Sequence, residues 1–371
     1  MNMKKVLIVN TATTSLSNGI SNIALMYAKS VSDIYCLDLV MAGKVIEEDL
    51  KYIKSIFSHV YRAKCSRVNH FLRYTKWLTS IIQENNYDII HVHGNSATMY
   101  IEINIAKRCG VAVRVCHCHS TSCKFKLAHY IMKAPLNRQL TVAVACSKEA
   151  GKWLYTGRFT ILNNGIDSAN YVFDEHARTE YRRELDLENS FVIGHIGYMS
   201  DEKNQRFIIA IAELLKKRID NFKVLLIGDG ALQSELEQEV TEKSLRKNVI
   251  FLGRRNDASK LYSAMDVFVF PSKFEGFGLS LIEAQANGLK CIASDQVPEA
   301  TRVNSETKYI SLENKKKWIE LIYSAYLSKL AANREEASYR SIVAIKKKEF
   351  DANSNKQKLI NIYEGKYENY R

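Results

Sequence analysis

The chain has 371 residues, 53 of them Lys or Arg and 40 Asp or Glu, for a net charge of +13. Hydrophobic residues at 46% and charged residues at 25% exclude a disordered chain, and only 3 Pro and 16 Gly exclude linker-like or collagen-like composition. No apolar run approaches the roughly 18–20 residues that cross a bilayer, and eight scattered cysteines point to reduced thiols in a cytoplasm rather than a disulfide framework.

In chain order, Val6–Val9 is too short for a secretory core and reads as a first buried strand. Further strands are expected at Ile34–Val40, Ile89–His93, Val113–His119 and Val142–Cys146, with helices at Ile20–Lys29, Val68–Gln83, Thr98–Arg108 and Lys124–Lys133. The second half repeats the alternation. Its strands are expected at Phe191–Ile196, Val224–Ile227, Val249–Leu252, Val267–Phe270 and Cys291–Ala293. Its helices are expected at Asn204–Leu215, Leu232–Lys243, Asp257–Ala264 and Leu279–Ala286, and the tail from Lys315 reads as helical.

Strand–helix alternation with short connections implies parallel sheets wound by right-handed crossovers. The expected fold class is α/β: two facing Rossmann-like domains, separated by the polar stretch Asn163–Arg183, with ligands in the cleft between them. The expected limits are 1–170 and 171–349, with a C-terminal helix at about 350–371 packing back on the first domain.

Charge is unevenly divided between the halves. Residues 1–170 hold 21 basic and 10 acidic residues (+11), and residues 171–371 hold 32 and 30 (+2). No acid occurs from Leu50 to Gln83, nor from Ile103 to Lys148. Such asymmetry points the first half at an anionic partner: nucleic acid, membrane surface or a phosphorylated substrate. A solvated basic face is the plainer alternative.

Phe270-Pro-Ser-Lys-Phe-Glu-Gly-Phe-Gly278 carries the densest chemistry. A buried strand ends at Pro271, and a glycine-bearing loop opens into a helix at Leu279. Free N–H groups at the positive end of a helix dipole suit a diphosphate. Glu275 and Glu283 then find a reason as acceptors for sugar hydroxyls, although a capped surface helix with two solvated glutamates would read the same way.

The spacing Glu275-x7-Glu283, followed by Ala284-Gln-Ala-Asn-Gly288, resembles the nucleotide-sugar signature of family 4 glycosyltransferases, retaining enzymes of the GT-B fold. The resemblance runs through Val249–Gly253, Leu226–Gly230, Ile193–Gly197, Asn163–Asp167, Ala145–Leu154 and His91–Gly94. It is nearest the bacterial exopolysaccharide and capsule branch.

The resemblance implies that Glu283 binds the ribose of the donor and that Glu275 contacts the donor sugar as a catalytic group. Gly276, Phe277, Gly278 and Leu279 would lie along the nucleotide sugar, with the Gly278 and Leu279 amides on the distal phosphate. Gly253 and Arg254 would meet the base through the main chain. Gly197 and Tyr198 would border the diphosphate, and Lys203 would neutralise it as the glycosidic bond breaks. Family members usually place an Arg after the glycine at 197. Tyr198 cannot supply a charge or a bidentate fork, which leaves Lys203 alone or calls on Arg206, Arg254 or Arg255.

Arg114–Cys123 invites a metal reading, but strand alternation sends Cys116 and Cys118 to one face and His117 and His119 to the other. No metal is expected. The resemblance instead implies a catalytic histidine at this strand end, His119, with His117 the alternative. Asn18, Gly19 and His93 are expected to face the acceptor, although Asn18-Gly19 alone is simply a turn. His91 lies beside His93.

The basic, aromatic segment Tyr61–Ser80 reads from Val68 as an amphipathic helix: Leu72 and Leu78 are expected in the core, and its basic rim suits an anionic membrane surface. Together these features imply transfer of a hexose from a nucleoside-diphosphate sugar, UDP favoured, to a polyprenyl-diphosphate-linked or other glycan, with retention, without metal or cofactor. The enzyme would be cytoplasmic and peripheral at the inner face of the plasma membrane. A nucleotide-sugar epimerase of the same fold is the rival enzyme. A basic nucleic-acid-binding protein is the rival from another class, but no zinc-finger spacing or RNA-binding aromatic motif supports it, and no nucleic-acid partner is expected.

Overall fold

A computed structural model describes residues 3–16, 18–67, 69–328 and 333–366. Ser17 in the Asn18-Gly19 turn segment, Val68 at the start of the expected basic helix, and 329–332 and 367–371 of the tail lie outside the described residues.

The chain forms two compact units, 1–165 with 352–371, and 166–351. The first holds β1 (Lys5–Asn10), α1 (Gly19–Val31), β2 (Cys36–Met41), α2 (Leu50–Lys54), β3 (His59–Arg62), α3 (Phe71–Asn85), β4 (Ile89–Gly94), α4 (Tyr100–Arg108), β5 (Val113–Cys118), α5 (Lys126–Asn137), β6 (Val142–Ala145), α6 (Lys148–Leu154) and β7 (Thr160–Ile161). All its strands are parallel, in the order β3-β2-β1-β4-β5-β6-β7. β-branched and other apolar residues fill these strands because both faces are covered by helices. On one face, Tyr74, Leu78, Ile103 and Leu136 from α3, α4 and α5 pack on Leu7, Val9, Ile90, Cys116 and Cys118.

The second unit holds α7 (Glu175–Glu184), β8 (Phe191–Ile196), α8 (Gln205–Leu215), β9 (Phe222–Ile227), α9 (Gln233–Glu242), β10 (Val249–Gly253), α10 (Ala258–Ala264), β11 (Val267–Phe270), α11 (Leu279–Ala286), β12 (Lys290–Ser294), β13 (Lys308–Ile310), α12 (Lys315–Leu327) and α13 (Arg334–Lys347). Its parallel sheet runs β10-β9-β8-β11-β12-β13. Two cores flank it: Phe207, Leu215, Leu236 and Trp318 on one face, and Tyr262, Leu281, Phe268 and Phe270 on the other.

Among the described residues, the helical tail comprises α12, α13 and a further helix, with different partners. α14 (Ala352–Tyr363) returns to the first unit, where Asn355 Nδ2 donates to the Tyr27 hydroxyl at 3.2 Å and Lys356 pairs with Asp33 at 2.8 Å. The stretch Asn163–Arg183 is not the plain polar separator its composition implies. Within it α7 is tied down because Arg178 and Arg182, one turn apart, both reach the carboxylate of Asp266 at the foot of β11.

In each sheet the strand order reverses direction beside the first strand, between β1 and β4 and between β8 and β11. Crevices at the carboxyl ends of such strand pairs are where doubly wound sheets bind ligands.

Candidate functional site

In the second unit, the loops after β8 and β11 meet at that reversal. Lys203, from the first loop, donates through Nζ to Glu275 Oε1, from the second, at 2.6 Å. The Ser272 hydroxyl donates to the same oxygen at 2.7 Å. The Lys203 and Glu275 side chains are 24% and 8% exposed, so the pair is largely shielded while its lysine still reaches solvent. The ammonium also stands 5.1 Å over the Phe270 ring, a cation–π contact from the end of β11.

Backbone packing sets the position of these loops. The Gly197 N–H donates to the Ile227 carbonyl at 3.0 Å, Met199 N–H to Asp229 at 2.7 Å, and Gly228 N–H to Gly253 at 2.8 Å. These bonds stitch the carboxyl ends of β8, β9 and β10 together. Gly228 has φ +130°, and a Cβ there would overlap the Gly197 carbonyl, so only glycine lets the two loops approach.

His195, which the sequence reading passed over, supports the same loop. Buried against Phe268 and Phe270, it donates from Nδ1 to the Val269 carbonyl at 3.0 Å and accepts from Gln205 Nε2 at 3.2 Å. Gln205 also donates to the Tyr198 carbonyl at 3.1 Å. Burial, reinforced by Lys203 and opposed by the Val269 hydrogen bond, pushes His195 down to about 4. The imidazole is neutral and acts as a strut.

Gly278 caps α11 with φ +91° and no side-chain cap, leaving the first-turn N–H groups without the usual side-chain oxygen. A Cβ on Gly276 would meet nothing, so that side of the loop is open. Phe277 turns its ring edge-on to Phe350 at 5.0 Å, so a ligand contact at 277 falls to the main chain. Glu283, on the next turn of α11 after Leu279, accepts from the Tyr262 hydroxyl at 2.7 Å. Burial raises its carboxyl above the ordinary range, while tyrosine hydrogen bonds and Lys203 oppose the rise.

Of the arginines considered as substitutes for the missing basic residue, Arg206 is held by Glu235 and Glu239 on α9. Arg255 is held by Asp257 and Glu184. Arg254 is half-buried beside Gly253, which has φ +60°. Tyr198 is 49% exposed. Lys203 reaches the reversal point from the loop after β8.

In the first unit, Asn18 caps α1 by accepting from Ser21 N–H at 3.2 Å, and beside Gly19 there is open space. His91 and His93 on β4 and His117 and His119 at β5 share one face of the sheet, all buried. His119 Nδ1 donates to Asn164 Oδ1 at 3.0 Å, and its Nε2 lies 2.9 Å from His93 Nδ1. Burial drives His119 down to about 4, against the Asn164 bond. His93 is fully buried, with its Nδ1 against His119. His119, 6% exposed, is the member nearest solvent.

The sequence pattern of the family described as Glycosyl transferases group 1 matches residues 177–341, and that of Glycosyltransferase Family 4 matches residues 44–170. EpsF of Bacillus subtilis (strain 168), named as a glycosyltransferase, is 31% identical over 308 residues, 79% of this chain and 79% of that protein. The Escherichia coli UDP-Gal:alpha-D-GlcNAc-diphosphoundecaprenol alpha-1,3-galactosyltransferase is 29% identical over 59% of this chain and 60% of its own. The crystal structure of Anabaena HepE in complex with UDP-glucose superposes with a TM-score of 0.80 over 97% of this chain and 99% of that one, at 18% identity, a likeness of fold. The chain belongs to the family 4 glycosyltransferases of the GT-B fold.

Proposed function

We propose that this enzyme transfers a hexose from a UDP-sugar to a lipid-linked glycan in bacterial surface polysaccharide synthesis, with retention of anomeric configuration. The carrying observation is the shielded Lys203–Glu275 pair beside the uncapped start of α11. Lys203 and the α11 amides face the leaving diphosphate, Glu275 the donor sugar, and Glu283 the ribose. Charge that develops on the leaving group meets a fixed cation and fixed N–H dipoles, which lowers the barrier without solvent reorganisation. In this reading the chemistry needs neither metal nor cofactor, and the leaving phosphate takes the acceptor proton. His119, neutral at the edge of the first unit, orients the sugars. The UDP donor and the polyprenyl-diphosphate acceptor follow the activity for which the Escherichia coli relative is named, and HepE was crystallised with UDP-glucose.

In this reading membrane contact involves α5 as well as the start of α3. No helix among the described residues is long and apolar enough to cross a membrane. Phe125, Leu127, Tyr130 and Ile131 are 52–76% exposed, on and just before α5, with Lys124, Lys126 and Lys133 around them. Leu72, expected in the core, is instead 81% exposed in α3, whereas Tyr74 and Leu78 are core. Each helix follows a parallel strand and so starts at the carboxyl edge of the first sheet. An apolar stripe with a basic rim fits an anionic bilayer surface.

The test is incubation with UDP-sugars and a polyprenyl-diphosphate glycan, with the new linkage read by NMR. Transfer with retention supports the proposal. An inverted product would contradict the mechanism, and conversion of the donor without an acceptor would instead identify an epimerase.

A further inference from the structure

The histidine cluster of the first unit has more ring nitrogens than partners. Asn164 Oδ1 is an acceptor, so His119 carries its proton on Nδ1 and offers a lone pair at Nε2. His93 must then donate from Nδ1 to His119, which leaves a lone pair on His93 Nε2, buried and without a partner. His91 Nδ1 lies 2.9 Å from the Tyr363 hydroxyl of α14, and its Nε2 is likewise buried and unpaired. Both nitrogens of His117 are buried and make no hydrogen bond of normal geometry, with only a weaker contact to the Leu162 main chain. Buried polar atoms without partners are rare, and each one points to something that would satisfy it.

One nitrogen from each of His91, His93 and His117 lies within 4.8 Å of the others. The rings stack closely, with centroids 4.0 Å apart for His91 and His93 and 5.4 Å for His91 and His117. We propose that His91, His93 and His117 bind one first-row transition-metal ion of the zinc type inside the first unit. Metal–nitrogen bonds of about 2.0–2.1 Å need nitrogens about 3.4 Å apart in a tetrahedral set, so binding requires the rings to turn out of their stack until their in-plane lone pairs converge on the ion. Three imidazoles without carboxylate or thiolate favour zinc, copper, nickel or cobalt over calcium and magnesium. A three-histidine set leaves the fourth position to a water or other small ligand.

The surroundings match what such ligands require. Metal-bound histidines hand their other N–H to an outer acceptor that fixes the ring. His119 plays this part for His93, and Tyr363 for His91. Burial, then repulsion from neighbouring imidazoles, keeps all three rings far below the ordinary histidine range, with the Leu162 main chain partly opposing at His117. Neutral rings keep their lone pairs available. The alternation expected from β5 alone does hold, since Cys116 lies beside Met99 on the opposite face. β4 supplies the missing ligands, which the reading of a single strand could not count. The ion would brace β4, β5 and, through Tyr363, the returning α14; its role is structural and does not depend on the donor reading.

The experiment uses the full chain without an affinity tag, stripped with a chelator and then titrated with zinc or cobalt alone. Binding of one ion per chain, visible cobalt absorption bands of a four-coordinate site, and a raised Tm are expected. His91→Phe and His117→Phe should each lose the bands and the stoichiometry, while Tyr363→Phe should weaken binding about tenfold. His176→Ala, on the surface, should change nothing. Uptake below about one-tenth of an ion per chain with no Tm shift would overturn the site, as would equal cobalt spectra in wild type and His117→Phe. If His91→Phe and His117→Phe do not fold, wild-type stoichiometry and the Tyr363→Phe titration decide. Donor binding, measured separately on the stripped chain, keeps failure here distinct from failure of the proposed transfer.

Discussion

Lys203 and Glu275 are 72 residues apart in sequence and 2.6 Å apart in space, joined where the loops after β8 and β11 converge. In the proposed mechanism Lys203 supplies the cation beside Gly197, where the next residue is Tyr198. Replacing Lys203 by Ala removes that charge and leaves Glu275 with Ser272 alone. Turnover per bound donor is expected to fall about 100-fold or more, while Tyr198→Arg, at a half-exposed position, is tolerated or activating. Steady-state transfer rates check both; unchanged turnover in Lys203→Ala would contradict the assignment.

Gly228→Ala should lower Tm and weaken donor binding although residue 228 carries no functional group. Its φ of +130° and the overlap with the Gly197 carbonyl force the two loops apart. A cost of about 1–3 kcal/mol is expected from the backbone conformation alone. Thermal unfolding measures it, and Gly276→Ala, where a Cβ meets nothing, is the paired control.

The second unit should lose stability as pH falls from 6.5 towards 4. His195 is held down to about 4 in the fold, mainly by burial, so the unfolded chain binds its proton first. Stability from this group is complete above the unfolded value of about 6.5 and is lost as pH drops towards 4, amounting to about 2 kcal/mol by pH 5. His195→Gln should flatten the profile by about one proton. An unchanged slope in that variant would show that the acid sensitivity lies elsewhere.

Much of this architecture was legible in the sequence because buried parallel strands are long apolar runs. Phe191–Ile196, Val267–Phe270 and Leu279–Ala286 are elements with the limits their patterns predict. β3, β7 and β13 were missed, as edge or near-edge strands of two to four residues with little apolar run to display. α7 was missed because its order comes from Arg178 and Arg182 converging on a distant aspartate, a contact that no local pattern reports. At the site, the glycine loop announced Glu275 and Glu283. His195 and Gln205 gave no signal, since their work is to hold main-chain groups, and the histidine cluster needed two strands placed side by side.

Leu127→Glu and Ile131→Glu, together, should abolish flotation with anionic vesicles without altering donor binding. Both residues are exposed on α5, at 76% and 65%, so the folded chain has no need of them. Loss of apolar insertion and added repulsion both act against the membrane. Equal binding to anionic and neutral vesicles by the wild type, or no binding to either, would remove the membrane assignment.

The most direct measurement is a thermal-shift titration of wild type and Lys203→Ala with UDP-, GDP- and ADP-sugars. Saturation to about 100 times Kd stabilises a fold by about 2.7 kcal/mol, which in a unit of this size raises Tm by roughly 5 °C or more. The account predicts that shift for wild type with a UDP-sugar and little or none for Lys203→Ala. Absence of a shift with every nucleotide sugar, or equal shifts in the two proteins, would contradict it.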